Sequence, residues 1–370
     1  FAKARGELGD TADSAESFGS RATQAVDAVS SVLAAAGISA ALKEIKEGFD
    51  ECVQASMDFE SAITGVAKTT DLTDEELADM SDAIKAMSTE IPASTTEIAA
   101  VAEAAGQLGI QKDALLDFTR VMTMLGTATN MTAEDAATAL ARFANITGMS
   151  ADNYDRLGAV IVDLGNNFAT TESEITQMGT RLASGGRLAG LTEPQIMALA
   201  AAMSSVGIEA EAGGTAMTQT LNAIEKAVAN GEDALQGFAD VAGMSADEFA
   251  QTWSTDALDA LTAFIRGLGT LDERGESAVL VLEDLGLKGI RQGNMLKSLA
   301  LAADQMDSAV QTANTAWDEN IALTNEANKR YATTQSKLDM MQNAYNNLKV
   351  AVGDAFTPAL RDAYDAGTDV

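Results

Sequence analysis

The stretch LTEPQIMALAAAMSSVGIEAEAGGTAM, Leu191 to Met217, decides the fold. Thr192 and Gln195 stand at the capping-box spacing, in which the hydroxyl accepts from an early orphan amide while the longer side chain reaches back to the cap. Ile196, Leu199, Met203 and Val206 then recur on one helical face, and Gly207 closes the run. Beyond it, Glu209 and Glu211 lie beside the pair Gly213-Gly214 in another helix-forming segment. A phosphate loop would place Lys and a hydroxyl after such glycines, but Thr215 and Ala216 follow, and the next lysine is Lys226. Two carboxylates suffice for glycoside hydrolysis, yet at i, i+2 on a helix they point to different faces. The glycines therefore read as turns or as places where helices approach closely, and Gly207, Gly213, Gly214, Gly286 and Gly289 are assigned that role.

The same grammar recurs outward. Thr73 with Glu76, Ser94 with Glu97, Thr132 with Asp135, Thr171 with Glu174 and Ser245 with Glu248 repeat the cap spacing. Each leads into an apolar stripe, such as Ile98, Val101, Ala105 and Leu108. The steps from Ser94 to Thr132 and from Thr132 to Thr171 are 38 and 39 residues, about one helical hairpin each. Before this region, Leu42, Ile45, Phe49, Cys52, Ser56, Phe59 and Ile63 alternate by three and four, a coiled-coil seam with only Ser56 polar. Val26, Val29, Leu33, Ala36 and Ala40 continue it upstream in another register, so one long helix is expected over about 12–64. After Asp304 the texture turns to Asn, Thr, Gln and Ala. A thin stripe remains, Trp317, Ile321, Thr324, Asn328, Tyr331 and then Leu338, Met341, Tyr345, Leu348, Val352, which predicts a second long helix in need of a partner.

Composition agrees. Hydrophobic residues make up 46% of the 370, aromatics only 5%, with 16 Met and 3 Pro, a balance that favours helices over a β-sandwich. The expected fold is all-α in three parts: a long coiled-coil-like helix at 1–64, a core of packed helical hairpins at 65–301, and a long polar helix at 302–370.

Charge and residue usage exclude much chemistry. With 24 basic against 55 acidic residues the net charge is −31, and tight nucleic-acid binding, which draws on Lys and Arg, is not expected. The absence of histidine removes the Ser-His-Asp triad and most zinc sites. LTDEEL (Leu72 to Leu77) and LTEPQI look like EF-hand helix starts, but no Asp-Gly pair supplies a calcium loop. Cys52, the single cysteine, reads as packing on the seam rather than as a reactive thiol. No cofactor, resident metal or catalytic residue is expected. The chain opens on Phe1 and reads as a piece of a longer polypeptide, and no uncharged run reaches membrane-spanning length.

Several blocks in order resemble the core region of bacteriophage tail tape measure proteins. They are DFESAITGV (Asp58 to Val66), STTEIAAVAEAAGQLGI (Ser94 to Ile110), AVIVDLGNNFATTESEI (Ala159 to Ile175) and Leu191 to Met217, whose end is similar to that family's "AGTA" signature. LGLKGIRQGNML (Leu285 to Leu296) and the segment from Ala316 to Leu360 resemble the linker and helix that follow the core. The resemblance implies a non-enzymatic ruler that fixes tail length inside the growing tube and leaves it ahead of DNA at genome ejection. The implied partners are tail tube proteins, tail chaperones, baseplate or tail-tip proteins, and further copies through coiled coils. The implied location is the tail lumen, with the host cytoplasm during assembly and membrane contact only during ejection, through parts outside this chain. Two other readings stay open: an α-solenoid protein-protein adaptor, and a cell-wall-degrading domain of a tail protein.

Overall fold

The computed structural model describes residues 39–231 and 233–357, with side chains described from Lys46 onward, Asp233 excepted. Among the described residues there are seventeen α-helices, two short 3-10 turns and no strand. The fold is all-α. The upstream stripe from Val26 to Ala36 lies outside the described residues.

All six predicted caps start helices. They precede α2 (Asp74–Glu90), α3 (Thr95–Gln107), α5 (Ala133–Thr147), α7 (Glu172–Leu188), α8 (Glu193–Ser205) and α11 (Ala246–Thr255). At Thr171 the hydroxyl accepts from the Glu174 amide at 3.2 Å while Glu174 accepts from the Thr171 amide at 3.1 Å. Each cap of this kind contributes about 1 kcal/mol.

The chain forms two compact units, Phe1–Glu103 with Thr334–Val370, and Ala104–Thr333. In the described part of the first, α1 (Ser39–Thr69) and α2 pack against α17 (Thr334–Asp354). The side chains of α17 that face this contact are largely polar. Asn343 donates to the carbonyls of Ser88 at 3.0 Å and Ala93 at 2.8 Å, and Asn347 donates to the Lys85 carbonyl at 3.0 Å. Ser88 lies in the last turn of α2, whose carbonyls have no partner within their own helix, so α17 acts as an external cap.

In the second unit, α6 (Tyr154–Asn167) and α8 are central. From Leu157 to Val162 and from Ile196 to Met203 nearly every side chain is buried, because Ala and Gly between larger residues let neighbours approach from several sides. Around them pack α7, α4 (Lys112–Ala128), α15 (Ala303–Glu319) and α16 (Ala322–Tyr331). Further along, α9 (Ala210–Asn230), α10 (Asp233–Ala242), α11, α12 (Ala257–Gly269) and α14 (Ile290–Ala300) continue the packing, with α13 (Ala278–Asp284) against α14. An aromatic cluster joins α10, α11 and α12: Phe238 meets Phe264 edge-on with centroids 5.1 Å apart and stacks on Phe249 at 6.4 Å.

The single long polar helix expected over 302–370 is corrected: its described residues form three helices, α15, α16 and α17. Asn320 ends α15 in the left-handed conformation, φ 51°, and its amide donates to the Asp155 carboxylate. Arg156 donates to the Trp317 carbonyl at 2.6 Å, satisfying the end of the same helix. The buried stripe of α15 is Met306, Ala309, Ala313 and Ala316, while Ile321 of the predicted stripe is half exposed.

A pH effect arises on α6. Burial raises the Asp163 carboxyl above its ordinary 3.8, against a hydrogen bond from Asn167 and with a smaller push from Glu319. The folded chain holds this proton more tightly than the unfolded chain, so the ionised side chain costs stability at neutral pH, and the cost fades as pH falls toward 3.8. Asp163→Asn is therefore expected to raise the denaturation midpoint slightly at pH 7 and to lose that advantage in acid. Midpoints measured for both proteins across the acidic range check this.

Candidate functional site

The stretch quoted first forms the contact between α7, α8 and α9. Gly207 is a turn residue, with φ +78° between α8 and the Glu209 cap of α9. Gly213 and Gly214 are buried on α9. A Cβ on Gly214 would lie 2.5 Å from Arg181 Cβ, and one on Gly213 would overlap Ile208 Cγ2 and reach 3.2 Å from Met203 Cε. α7 answers with its own missing side chains. A Cβ on Gly185 would stand 2.8 Å from Thr218 Cγ2 of α9, and one on Gly179 or Gly186 would stand 2.5 Å from Met197 Sδ or 2.8 Å from Ile196 Cγ1 of α8. Helix α7 is thus held between α8 and α9 at glycine distance. Gly286 adopts φ +79° after α13, while Gly289 caps α14 in ordinary extended conformation and leaves 3.4 Å to Gln292 Cβ.

Beside this contact an open groove of about 1020 Å³ runs between α9 and α14, lined by Glu209, Glu211, Ala212, Gln219, Arg291 and Met295 among others. Its floor is fixed by buried Gln292, which donates to Thr220 Oγ1 at 3.0 Å. Glu209 and Glu211 are exposed at the start of α9, where carboxylates favour the positive end of the helix dipole. Among the described residues, no three His, Cys, Asp or Glu side chains gather as a metal-ligand set, and no helix is long and apolar enough to cross a membrane.

The seam on α1 is filled from within the chain. Phe49 meets Phe356 edge-on at 4.9 Å, the Cys52 carbonyl abuts Gly353 of α17, and Ser56 donates to Asp354 at 2.6 Å. Phe59 is buried beneath Lys85, whose ammonium sits 4.9 Å from the ring centroid, and Ile63 is half-buried. Leu42 and Ile45 lie on α1, but their side chains fall outside the described set. Within the chain, α17 meets this seam at Phe49 and at the Cys52 backbone, and α2 lies over Phe59. Sequence reasoning missed Gly267 and Gly353, which also mark close approaches, and read Gly126 as a helix end, whereas it lies inside α4 where a Cβ would stand 2.7 Å from the Ala133 nitrogen. For Gly353 a signal was available: it is an isolated glycine inside a helical pattern.

Residues 81–282, more than half the chain, match the family described as phage-related minor tail protein. The chain belongs to that family. That family's description is of phage tail proteins. The chain is also similar to the "Probable tape measure protein" of Halomonas phage phiHAP-1, at 24% identity over 319 residues, which cover 83% of this chain and 36% of the relative. The two matches bear out the resemblance to tape measure proteins. The chain spans little more than a third of that relative's length. No solved structure matches it.

Proposed function

We propose that this chain is a segment of a tape measure protein that sets tail length by extending inside the growing tube, and that it acts without catalysis. The observation that carries this reading is the similarity over 83% of the chain to a relative whose printed name is tape measure protein. A helix rises about 1.5 Å per residue, so helical extent scales with residue count, as a ruler requires. The charge of −31 supports release ahead of DNA, since an acidic surface has little affinity for phosphate. The partners in this reading are tube subunits, tail chaperones and baseplate or tail-tip proteins, in the tail lumen and, during assembly, the host cytoplasm.

Helices folded back on one another make Ala104–Thr333 far shorter than its residue count would give if extended. In this reading that block has fixed length, and so does the packed pair α1 and α17. The residues that scale with the tail lie outside 39–357. Removing heptads there from the full-length protein is expected to shorten tails by about 10 Å per heptad, measured by electron microscopy of phage particles. Tails of unchanged length in every deletion would overturn the ruler role.

A further inference from the structure

Helix α17 leaves its apolar side in water. Asn343, Val350 and Gly353 are buried against α1 and α2, whereas Leu338, Met341, Tyr345, Leu348 and Val352 are between 39% and 64% exposed. A stripe of five large apolar side chains wants a cover.

The direction of the neighbouring helix says which part of the chain reaches it. Lys349 donates to Glu51 and Ser56 donates to Asp354, each at 2.6 Å, so partners advance together along the two helices. Helix α1 therefore runs parallel to α17, and its start at Ser39 is level with the Leu338 end of the stripe. The residues that lead into α1 arrive at that end.

Those residues carry a matching pattern. Read backwards from Ala36, the positions Ala36, Leu33, Val29, Val26 and Ala22 step by three, four, three and four, as the stripe does read forwards from Leu338. A chain that reverses at Gly37 sets Ala36 on Leu338, Leu33 on Met341, Val29 on Tyr345, Val26 on Leu348 and Ala22 on Val352, the layering of an antiparallel helix pair. Glycine suits the end of the first helix, and two antiparallel helices need only a short loop between them. On a helix continued straight back from α1, the upstream positions would point about 150° away from Phe49, Cys52 and Ser56, and so away from α17. Both stripes would then stay in water.

Charge agrees with the reversed path. Between Ala22 and Ala36 the one charged residue is Asp27, outside the matching positions, and α17 balances Lys337 and Lys349 against Asp339 and Asp354. In a chain of net charge −31 these two segments meet without opposed carboxylates. Residues 358–370, the other terminal segment outside the described residues, carry Asp362, Asp365 and Asp369 and no five-position repeat.

We propose that residues 22–36 of this chain fold back at Gly37 and cover Leu338, Met341, Tyr345, Leu348 and Val352. The inference needs no second copy and holds whether or not the chain measures tail length. In a Cys52→Ala background of the 370-residue chain, spin labels on Gln24→Cys and Ala355→Cys are expected about 20 Å apart by pulsed electron paramagnetic resonance, since packed helix axes lie about 8 to 10 Å apart and the labels add length. A helix running straight back from α1 would put them more than about 40 Å apart. The short distance should survive dilution with an excess of unlabelled chain, and Val26→Glu with Leu33→Glu should abolish it while the calorimetric transition of Ala104–Thr333 stays unchanged. A distance beyond about 40 Å would overturn the proposal in favour of the straight helix. A short distance that dilution removes would assign the stripe to another molecule, and one indifferent to the two glutamates would deny the matched positions their role; each would overturn it as well.

Discussion

Gly267→Ala is expected to destabilise Ala104–Thr333 by about 3 kcal/mol, lowering its calorimetric midpoint by roughly 6 to 12 °C. Alanine in a helix is ordinarily favoured over glycine by about 1 kcal/mol, so the sign itself is diagnostic. Gly267 lies on α12, where an added Cβ would overlap the Val241 carbonyl oxygen of α10 and stand 2.7 Å from its carbonyl carbon. The obstacle is backbone, which cannot rotate aside, so α10 and α12 must separate around the Phe238, Phe249 and Phe264 cluster. A midpoint that stays put or rises would mean that the two helices do not approach this closely.

Gly213→Leu and Gly214→Leu are each expected to cost about 3 kcal/mol or more, read as a lower denaturant midpoint. Leucine inserts four carbons between α9 and its neighbours: Ile208, Met203 and Met178 face Gly213, and Arg181 faces Gly214. Gly207→Ala provides the comparison. Nothing lies within 4 Å of its would-be Cβ, so only the left-handed backbone is penalised, at roughly 1 kcal/mol. Losses at Gly213 and Gly214 no greater than at Gly207 would show that close approach is not what those two positions provide.

The legible parts of the fold are those whose physics is local. A hydroxyl and an acid three residues apart satisfy amides within one helical turn, so six helix starts were readable without knowing any tertiary contact. The glycine pair at 213–214 was readable as conformationally special, but not as a seat for Arg181, which arrives from a separate helix. Asn320 gave no warning that it ends a helix, because the group that holds its left-handed conformation is Asp155, far away in sequence. The stripe from Leu338 to Val352 was visible as a pattern, yet periodicity alone does not say which face is buried. Asn343 and Asn347 turn inward because carbonyls at Lys85, Ser88 and Ala93 accept from them, a long-range satisfaction of polar groups that no window of sequence contains. The seam of α1 was legible as an apolar helix face, but its periodicity did not say that α17 of the same chain packs on that helix.

The pairing of α1 with α17 has a mechanical consequence. Residues 104–333 are inserted between the two helices that clasp each other through Phe49 with Phe356 and Cys52 with Gly353. Tension applied along the polypeptide from beyond α1 and beyond α17 is borne first by that clasp. The inserted helices carry no load until it parts, so stretching proceeds as a sequence of discrete releases with the clasp as the first latch.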